Sequence, residues 1–415
     1  MLTISPQDKR HKPSPHHQPN NKQREQTEAP NQFLQSLIIK IIYNLYMIIN
    51  IQTEVLDKPM RILSSVSDAK QTMPILGNTL FKLGGGSLEL IASDLEVEVR
   101  YLNSEVGVDG EIQSTIPTKK FSDILKVLGG SSASLEFDEK SVEIKGGKSK
   151  FKVSTLPVDD FPLSEFDGSD RFSLKPCDLL EMIDNTSFSM GYQDARHFLN
   201  GLYFEPTDSG MIAVATDGHR LAYCETTSND GKFTTSCIVP RKGIVELKKI
   251  LNLFTENKDI LAEVSINSKN LTVFIGNYSL TTKLIEGNYP DYKKVFPESL
   301  PNTLVLSRED LRTALQKMAI LSSEQYKGVK LGLEPTSLHL STTNPQQEKG
   351  EDTIDCIYEG DPMAVGFNLA YIMEVIDAID TEQVKFRFGS PDSGCLVSAN
   401  SDNPSSKYII MPMRV

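Results

Sequence analysis

The run Ala215-Thr216-Asp217-Gly218-His219-Arg220-Leu221-Ala222 places a carboxylate, an imidazole and a guanidinium within four positions. Asp-x-His beside Arg can be an acid–base pair, as in a hydrolase. The same residues can also make a buried, hydrogen-bonded turn at the end of a strand. The rest of the chain favours the turn, because no GxSxG nucleophile, Walker A loop or HExxH motif accompanies it. No catalytic residue is therefore assigned. The five cysteines (Cys177, Cys224, Cys237, Cys356, Cys395) are scattered and form no CxxC pair. Neither a zinc site nor a disulfide framework is expected, and a reducing cytoplasm fits. The histidine run HKPSPHHQ could take a metal but reads as part of a solvated tail. No metal and no cofactor are expected.

Length and composition limit what could position such residues. A chain of 415 residues suggests two to four domains, and 39% apolar with 24% charged residues is ordinary for a soluble protein. Residues 1–32 are rich in Pro, Gln, Asn, Lys and His and too polar to offset their chain entropy, so disorder is expected there. The apolar stretch Phe33–Ile51 is interrupted by Lys40 and Asn44 and lacks a small-residue cleavage site, which argues against a membrane span or signal. Met47 opens MIINIQTEVL, a strand leading into a helix, so residues 1–46 read as an atypical extension or as translation from an upstream start. They carry six basic and three acidic residues, which leaves −15 of the overall −12 charge in residues 47–415.

Those 369 residues divide into three passages of about 123, each with the same four signals in order. First comes an amphipathic helix after a short strand (55–68, 176–190, 308–323). In the last copy Leu311, Leu315, Met318, Ile320 and Leu321 recur at helical spacing, with Ser307 as N-cap and Asp310 three residues on. Next come alternating strands broken by polar and Gly-rich turns. A second helix follows (117–128, 240–251, 367–379), and a second set of period-two strands closes the passage. Strands packing apolar faces on helices give an α+β fold of three repeated modules, helices on one face of antiparallel sheets. The expected modules are 47–167, 168–297 and 298–415, with Pro-containing linkers near 161–170 and 296–302.

The negative total argues against nucleic acid, but the charge is not uniform. The helices are locally basic (Lys58, Arg61; Lys119, Lys120, Lys126; Arg241, Lys242, Lys248, Lys249; Arg308, Arg312, Lys317), while strands and loops carry much of the acid. Surface helices often show such residues. If these helices share one face, it becomes a positive lining that attracts phosphate without reading bases. Two helices per module in two three-module chains make twelve. At roughly 10 Å between axes they span a circle about 120 Å around and about 38 Å across, and subtracting a helix width of about 10 Å leaves a hole that admits duplex DNA. One chain makes a half circle, and two-fold association is the simplest closure.

The motifs ATDGHRLA (215–222), Met73-Pro74-Ile75-Leu76-Gly77-Asn78, Val239-Pro240-Arg241-Lys242-Gly243, Asn288-Tyr289-Pro290-Asp291-Tyr292 and Met411-Pro412-Met413-Arg414 resemble, in order and spacing, the bacterial DNA polymerase III β subunit, the β sliding clamp. The resemblance covers Met47 to Val415. It implies a non-catalytic processivity factor, a head-to-tail homodimeric ring of six modules that encircles duplex DNA without sequence preference. It also implies a cytoplasmic location, no membrane partner, and a peptide cleft that tethers the polymerase III catalytic subunit, the clamp loader, other DNA polymerases and repair proteins.

Carried over by motif, the cleft comprises Leu199, Thr216, Gly218, His219, Arg220, Leu221, Pro290, Lys294, Val295, Asn368, Tyr371, Met411, Pro412, Met413 and Arg414. Leu, Val, Pro and Met suit an adaptable groove for Leu and Phe anchors, and Thr216, His219, Arg220 and Asn368 could hold a peptide backbone or a Gln. Lys294 stands where the family usually has Arg, which puts a bidentate contact in doubt. DNA contact falls to Lys70, Lys119, Gln193, Arg196, His197, Phe198, Arg241 and Lys242. His197-Phe198 replaces a common pair of tyrosines, keeping stacking at Phe198 but not the hydroxyls. The dimer seam would join the strand Lys148–Thr155, with Lys148, Lys150, Phe151 and Val153, to Ile320, Leu321, Glu348, Glu351 and Asp352 of the third module. Two other readings are a hydrolase using Asp217 and His219, and a monomeric three-domain adaptor that never encloses DNA.

Overall fold

The computed structural model describes residues 47–67, 73–106, 110–128, 132–164, 170–227, 234–257, 259–322 and 327–414. The expectations for the polar tail, the histidine run and residues 33–46 lie outside them, as does Lys70. Six helices are described, each entered from a strand: α1 (Thr53–Val66), α2 (Thr118–Leu128), α3 (Pro176–Thr186), α4 (Arg241–Leu251), α5 (Arg308–Ala319) and α6 (Leu369–Ala378). They pack in sequential pairs, one pair per repeat. Each buries a stripe at three- and four-residue spacing, such as Phe121, Ile124 and Leu125 of α2 or Ile244, Leu247, Ile250 and Leu251 of α4.

The helix ends differ from the expected ones for local reasons. α3 stops at Thr186, where the chain tightens into a 3-10 turn over Ser187–Ser189 and the Thr186 hydroxyl bonds back to the Met182 carbonyl. α5 stops at Ala319, leaving Ile320 79% exposed. α6 begins two residues late, because Phe367 is a buried strand residue and Asn368 is the N-cap, accepting from Ala370 N at 3.0 Å. Ser307 caps α5 as expected, accepting from Asp310 N at 3.3 Å.

The strands form four antiparallel sheets, and two of them cross from one repeat to the next. In an eight-stranded sheet, Val97–Asn103 of the first repeat pairs with Tyr278–Lys283 of the second, Tyr101 opposite Tyr278. In a nine-stranded sheet, Arg220–Thr227 of the second repeat pairs with Ser406–Ile410 of the third, Leu221 opposite Ile409. The two remaining sheets have four strands each. One ends on Ser149–Ser154 and the other on Lys349–Asp355, and neither strand has a partner on its outer side among the described residues.

All the helices fall on one side of this succession. Phe81, Leu83, Leu90 and Val99 face the helices of the first two repeats, whereas Leu80 and Ile91 on the opposite face are covered by Ile75, Leu76 and Phe161. In the nine-stranded sheet Val384, Phe386 and Phe388 face α5 and α6, while Ile212, Val214, Leu221 and Ile409 face a tyrosine cluster. No described helix is long and apolar enough to cross a membrane.

Candidate partner-peptide cleft and DNA-facing loop

The turn between strands Gly210–Thr216 and Arg220–Thr227 settles the chemistry of Asp217. Its Oδ1 accepts from the backbone N–H groups of His219 (2.9 Å) and Arg220 (3.1 Å), and its Oδ2 accepts from Arg220 Nε (3.1 Å). The Thr216 hydroxyl donates to the Arg220 carbonyl at 2.6 Å, and Gly218 takes φ +89°, a conformation suited to glycine. The carboxylate is thus consumed in holding the turn, while the imidazole of His219 is exposed.

Arg220 is not free to hold a peptide, contrary to expectation. It is 8% exposed. Besides Asp217 it pairs with Glu374 and donates to the Phe188 carbonyl, and its guanidinium lies 4.3 Å from the Tyr371 ring centroid. It is a strut that fastens the turn to α6 and to the segment after α3. Asn368 likewise commits its oxygen to capping α6. The C-terminal segment runs past the same turn: Met411 N donates to the His219 carbonyl at 2.9 Å and Met413 N to the Gly366 carbonyl at 2.8 Å. These bonds bring residues 216–221, 366–371 and 411–413 together.

Met411, Met413 and Val295 remain about two-fifths exposed, whereas Leu199 and Leu221 are buried. Pro290 is exposed beside Tyr289, whose ring stacks on Tyr203 at 4.5 Å and whose hydroxyl donates to the Val214 carbonyl. Burial pushes the Tyr289 phenol up, so it stays a neutral donor. Lys294 pairs with Asp291 at 2.9 Å and is otherwise in solvent, as is Arg414.

The loop Gly191–Phe198 lies alongside. Tyr192, Gln193 and His197 are exposed and Phe198 is half-buried. Arg196 is gripped by Asp194 through Nε–Oδ1 (3.0 Å) and Nη2–Oδ2 (2.8 Å), and the guanidinium holds the Asp194 carboxyl at about 2. Arg241 faces inward, donating to the carbonyls of Met190 (2.6 Å) and Gly191 (3.2 Å), and Lys242 pairs with the buried Asp94 of the first repeat. These two expected DNA ligands therefore act first as braces. The basic helix residues are similarly spent: Arg61 on Asp57, Lys126 on Asp123, Lys248 on Asp184, Lys249 on Glu246, Arg312 on Asp377 and Lys317 on Asp352. Lys58, Lys119 and Lys120 are exposed, with no carboxylate in ion-pair reach among the described residues.

At the open edges, Phe151 and Val153 pack on their own core while Lys148 stands in solvent. Several expected cross-seam charges have partners within the chain: Lys150 with Glu143, Glu351 with Lys349, Glu348 with Asn344 and Asp352 with Lys317. Leu321, beside the exposed Ile320, is half-buried.

Three family models match in succession, the N-terminal, central and C-terminal domains of the DNA polymerase III beta subunit, over residues 47–165, 173–291 and 293–414. The chain belongs to the DNA polymerase III beta subunit family. A beta sliding clamp of Pseudomonas aeruginosa is 37% identical over 370 residues, 88% of this chain and 99% of that protein. A crystal structure of the beta subunit from the same organism superposes with a TM-score of 0.84 at 36% identity, covering 89% of this chain and 100% of that one. Another P. aeruginosa sliding clamp, with a TM-score of 0.83 at 36% identity and the same coverage, is bound to griselimycin.

Family motifs do not reveal the braces of this chain. Asp94–Lys242, Arg220–Glu374 and Arg196–Asp194 depend on side-chain direction, and the first two join residues far apart in sequence. A cavity of about 520 Å³ between α3 and the 399–406 segment also went unpredicted, being formed by separate repeats.

Proposed function

We propose that two copies of this chain close head to tail into a six-module ring that encircles duplex DNA and tethers replication and repair proteins through the cleft around 216–221, 290–295 and 411–414. The observation that carries this is the count of strands. Where repeats meet within the chain, sheets of eight and nine strands run across the boundary; at the two ends, half-sheets of four strands stop at open edges. Pairing Ser149–Ser154 of one copy with Lys349–Asp355 of another would make a third sheet of eight, and would remove two exposed edges that otherwise invite aggregation. Ile320, at 79% exposure near one edge, would be buried.

The modules are 47–167, 168–297 and 298–415. Lys119, Gln193, His197 and Phe198 meet DNA directly, Arg196 reaches it by leaving Asp194, and Arg241 and Lys242 support that surface. The ring is an accessory subunit with no catalytic site of its own, since Asp217 is bound up in its turn. It works in the cytoplasm, with the polymerase III catalytic subunit, the clamp loader, other polymerases and repair proteins as partners. The five cysteines are free thiols, as a reducing compartment requires.

The test is retention on nicked circular DNA after loading, before and after the circle is cut. A ring stays on the circle and is lost from the linear form at moderate salt; equal retention on both would replace it with an electrostatically attached adaptor. Ile320→Ala with Leu321→Ala is expected to give monomers, and an unchanged dimer mass on ultracentrifugation would remove this seam.

A further inference from the structure

Arg196 belongs to two surfaces at once. Its backbone lies between Gln193 and His197 on the exposed loop, and its side chain is half in solvent. Its Nη2 also donates to the Asp217 carbonyl at 3.2 Å, inside the turn that forms the cleft. The guanidinium lies directly over Gly218: a Cβ placed there would come within 2.9 Å of Nη2 and 3.1 Å of Nη1. Arg196 thus caps both an acceptor and a glycine face at the edge of the cleft. Asp194 is its salt-bridge partner among the described residues, the Asp217 carboxylate adds a longer-range attraction, and with the guanidinium half in solvent a phosphate can compete for it.

We propose that Arg196 couples DNA in the ring to peptide in the cleft: a phosphate near the loop competes with Asp194, draws the guanidinium away, and exposes the Asp217 carbonyl and the Gly218 face to a partner's backbone. The inference rests on the ring-and-cleft reading above. A partner peptide gains one backbone N–H acceptor and the surface of Gly218 when DNA is present, so DNA strengthens peptide binding. By linkage the peptide strengthens DNA binding by the same factor. The rest of the turn does not need to move, because Asp217 remains fixed by His219 N, Arg220 N and Arg220 Nε. Partners would be taken up preferentially by rings already on DNA.

The experiment uses the full chain and a fluorescein-labelled short peptide carrying Gln, Leu and Phe, titrated by anisotropy with and without a short duplex at low salt. The native chain is expected to bind the peptide about fivefold more tightly with duplex present, at the low end of measured couplings. Arg196→Gln is expected to bind the free-state peptide nearly as tightly as the native chain does with DNA, and to lose the enhancement. Asp194→Asn, which loosens the grip but keeps the cation, should raise the free-state affinity and shrink the enhancement without abolishing it. Arg196 is half-exposed and Asp194 about one-quarter exposed on this loop, and unchanged melting of each variant checks that the fold is kept. If duplex and peptide both bind but the native affinity is the same with and without DNA, or if Arg196→Gln keeps the full enhancement, the coupling is wrong and the ring-and-cleft reading stands. If duplex or peptide fails to bind the native chain at all, that reading falls and takes the coupling with it.

Discussion

The chain makes the same kind of joint twice and finishes the two differently. Between the first and second repeats, strands 97–103 and 278–283 pair, and on the outer face of the same sheet Ile75, Leu76 and Phe161 cover Leu80 and Ile91. The braces there are buried carboxylates: Glu98 bonds Arg100 and the Ser164 N–H, and Asp94 holds Lys242 while its Oδ1 accepts from the backbone of Glu96 and Val97. Between the second and third repeats, strands 220–227 and 406–410 pair in the same way, and Arg220 is the brace. Here a tyrosine cluster covers Leu221 and Ile409, while Met411, Met413 and Val295 stay about two-fifths exposed. The first joint also leaves Leu102 half-exposed, but the second holds methionines in reserve beside the Asp217 turn. Methionine suits that reserve because its flexible thioether fits more than one anchor.

The contrast can be broken most severely at Arg220. Arg220→Ala strips Asp217 and Glu374 of their partner and leaves the Phe188 carbonyl without its donor. A cost of about 3 kcal/mol is expected, as for a largely buried pair with one member removed, together with loss of peptide binding as the turn loosens. Denaturant melts and peptide anisotropy check the two effects. At the first joint Asp94→Ala frees two backbone donors and Lys242, with an expected cost of about 2 kcal/mol, yet peptide affinity should not move. If Asp94→Ala weakens the peptide as much as Arg220→Ala does, the two joints are not separable in function. A third change touches only the reserve: Met411→Ala with Met413→Ala should leave stability within about 0.5 kcal/mol and weaken the peptide about tenfold or more, since the groove is stripped of two apolar side chains that would grip its anchors. Unchanged affinity in that variant would move the docking surface elsewhere.

The modules were legible in the sequence because periodicity, which repeats, survives without knowledge of tertiary contacts. The strand-then-helix openings at 47–66 and 302–319, the Ser307 cap and the hydrogen-bonded turn at Asp217 all follow from local chemistry. Charge was misjudged by the same local view. Lys248 and Lys249 look like lining when read along α4, but Lys248 meets Asp184 on α3, and Lys249 meets Glu246, which also receives Ser65 from α1. Neither Arg220's commitment inward nor Asn368's use as a cap shows in a motif that only records residue types. The site residues can be placed by resemblance; what each side chain is free to do depends on neighbours brought together by folding.

Lys119 and Lys120 give the smallest effect and the cleanest separation of stability from function. Both lie in the first turn of α2, where the positive end of the helix dipole disfavours cations, and no acidic residue accompanies them in that turn. For the fold alone they are a poor choice. Replacing both with Gln should therefore leave stability unchanged or raise it by about 0.3 kcal/mol per residue. For the DNA reading they are exposed cations with no carboxylate in ion-pair reach among the described residues, so the same change should weaken duplex binding uniformly across sequences and lower the slope of log affinity against log salt by about 1 for each phosphate no longer neutralised. Opposite movement of melting and DNA affinity is the expected signature. A double variant that melts lower while its salt slope stays the same would make these lysines part of the scaffold and leave the lining to the loop at 191–198.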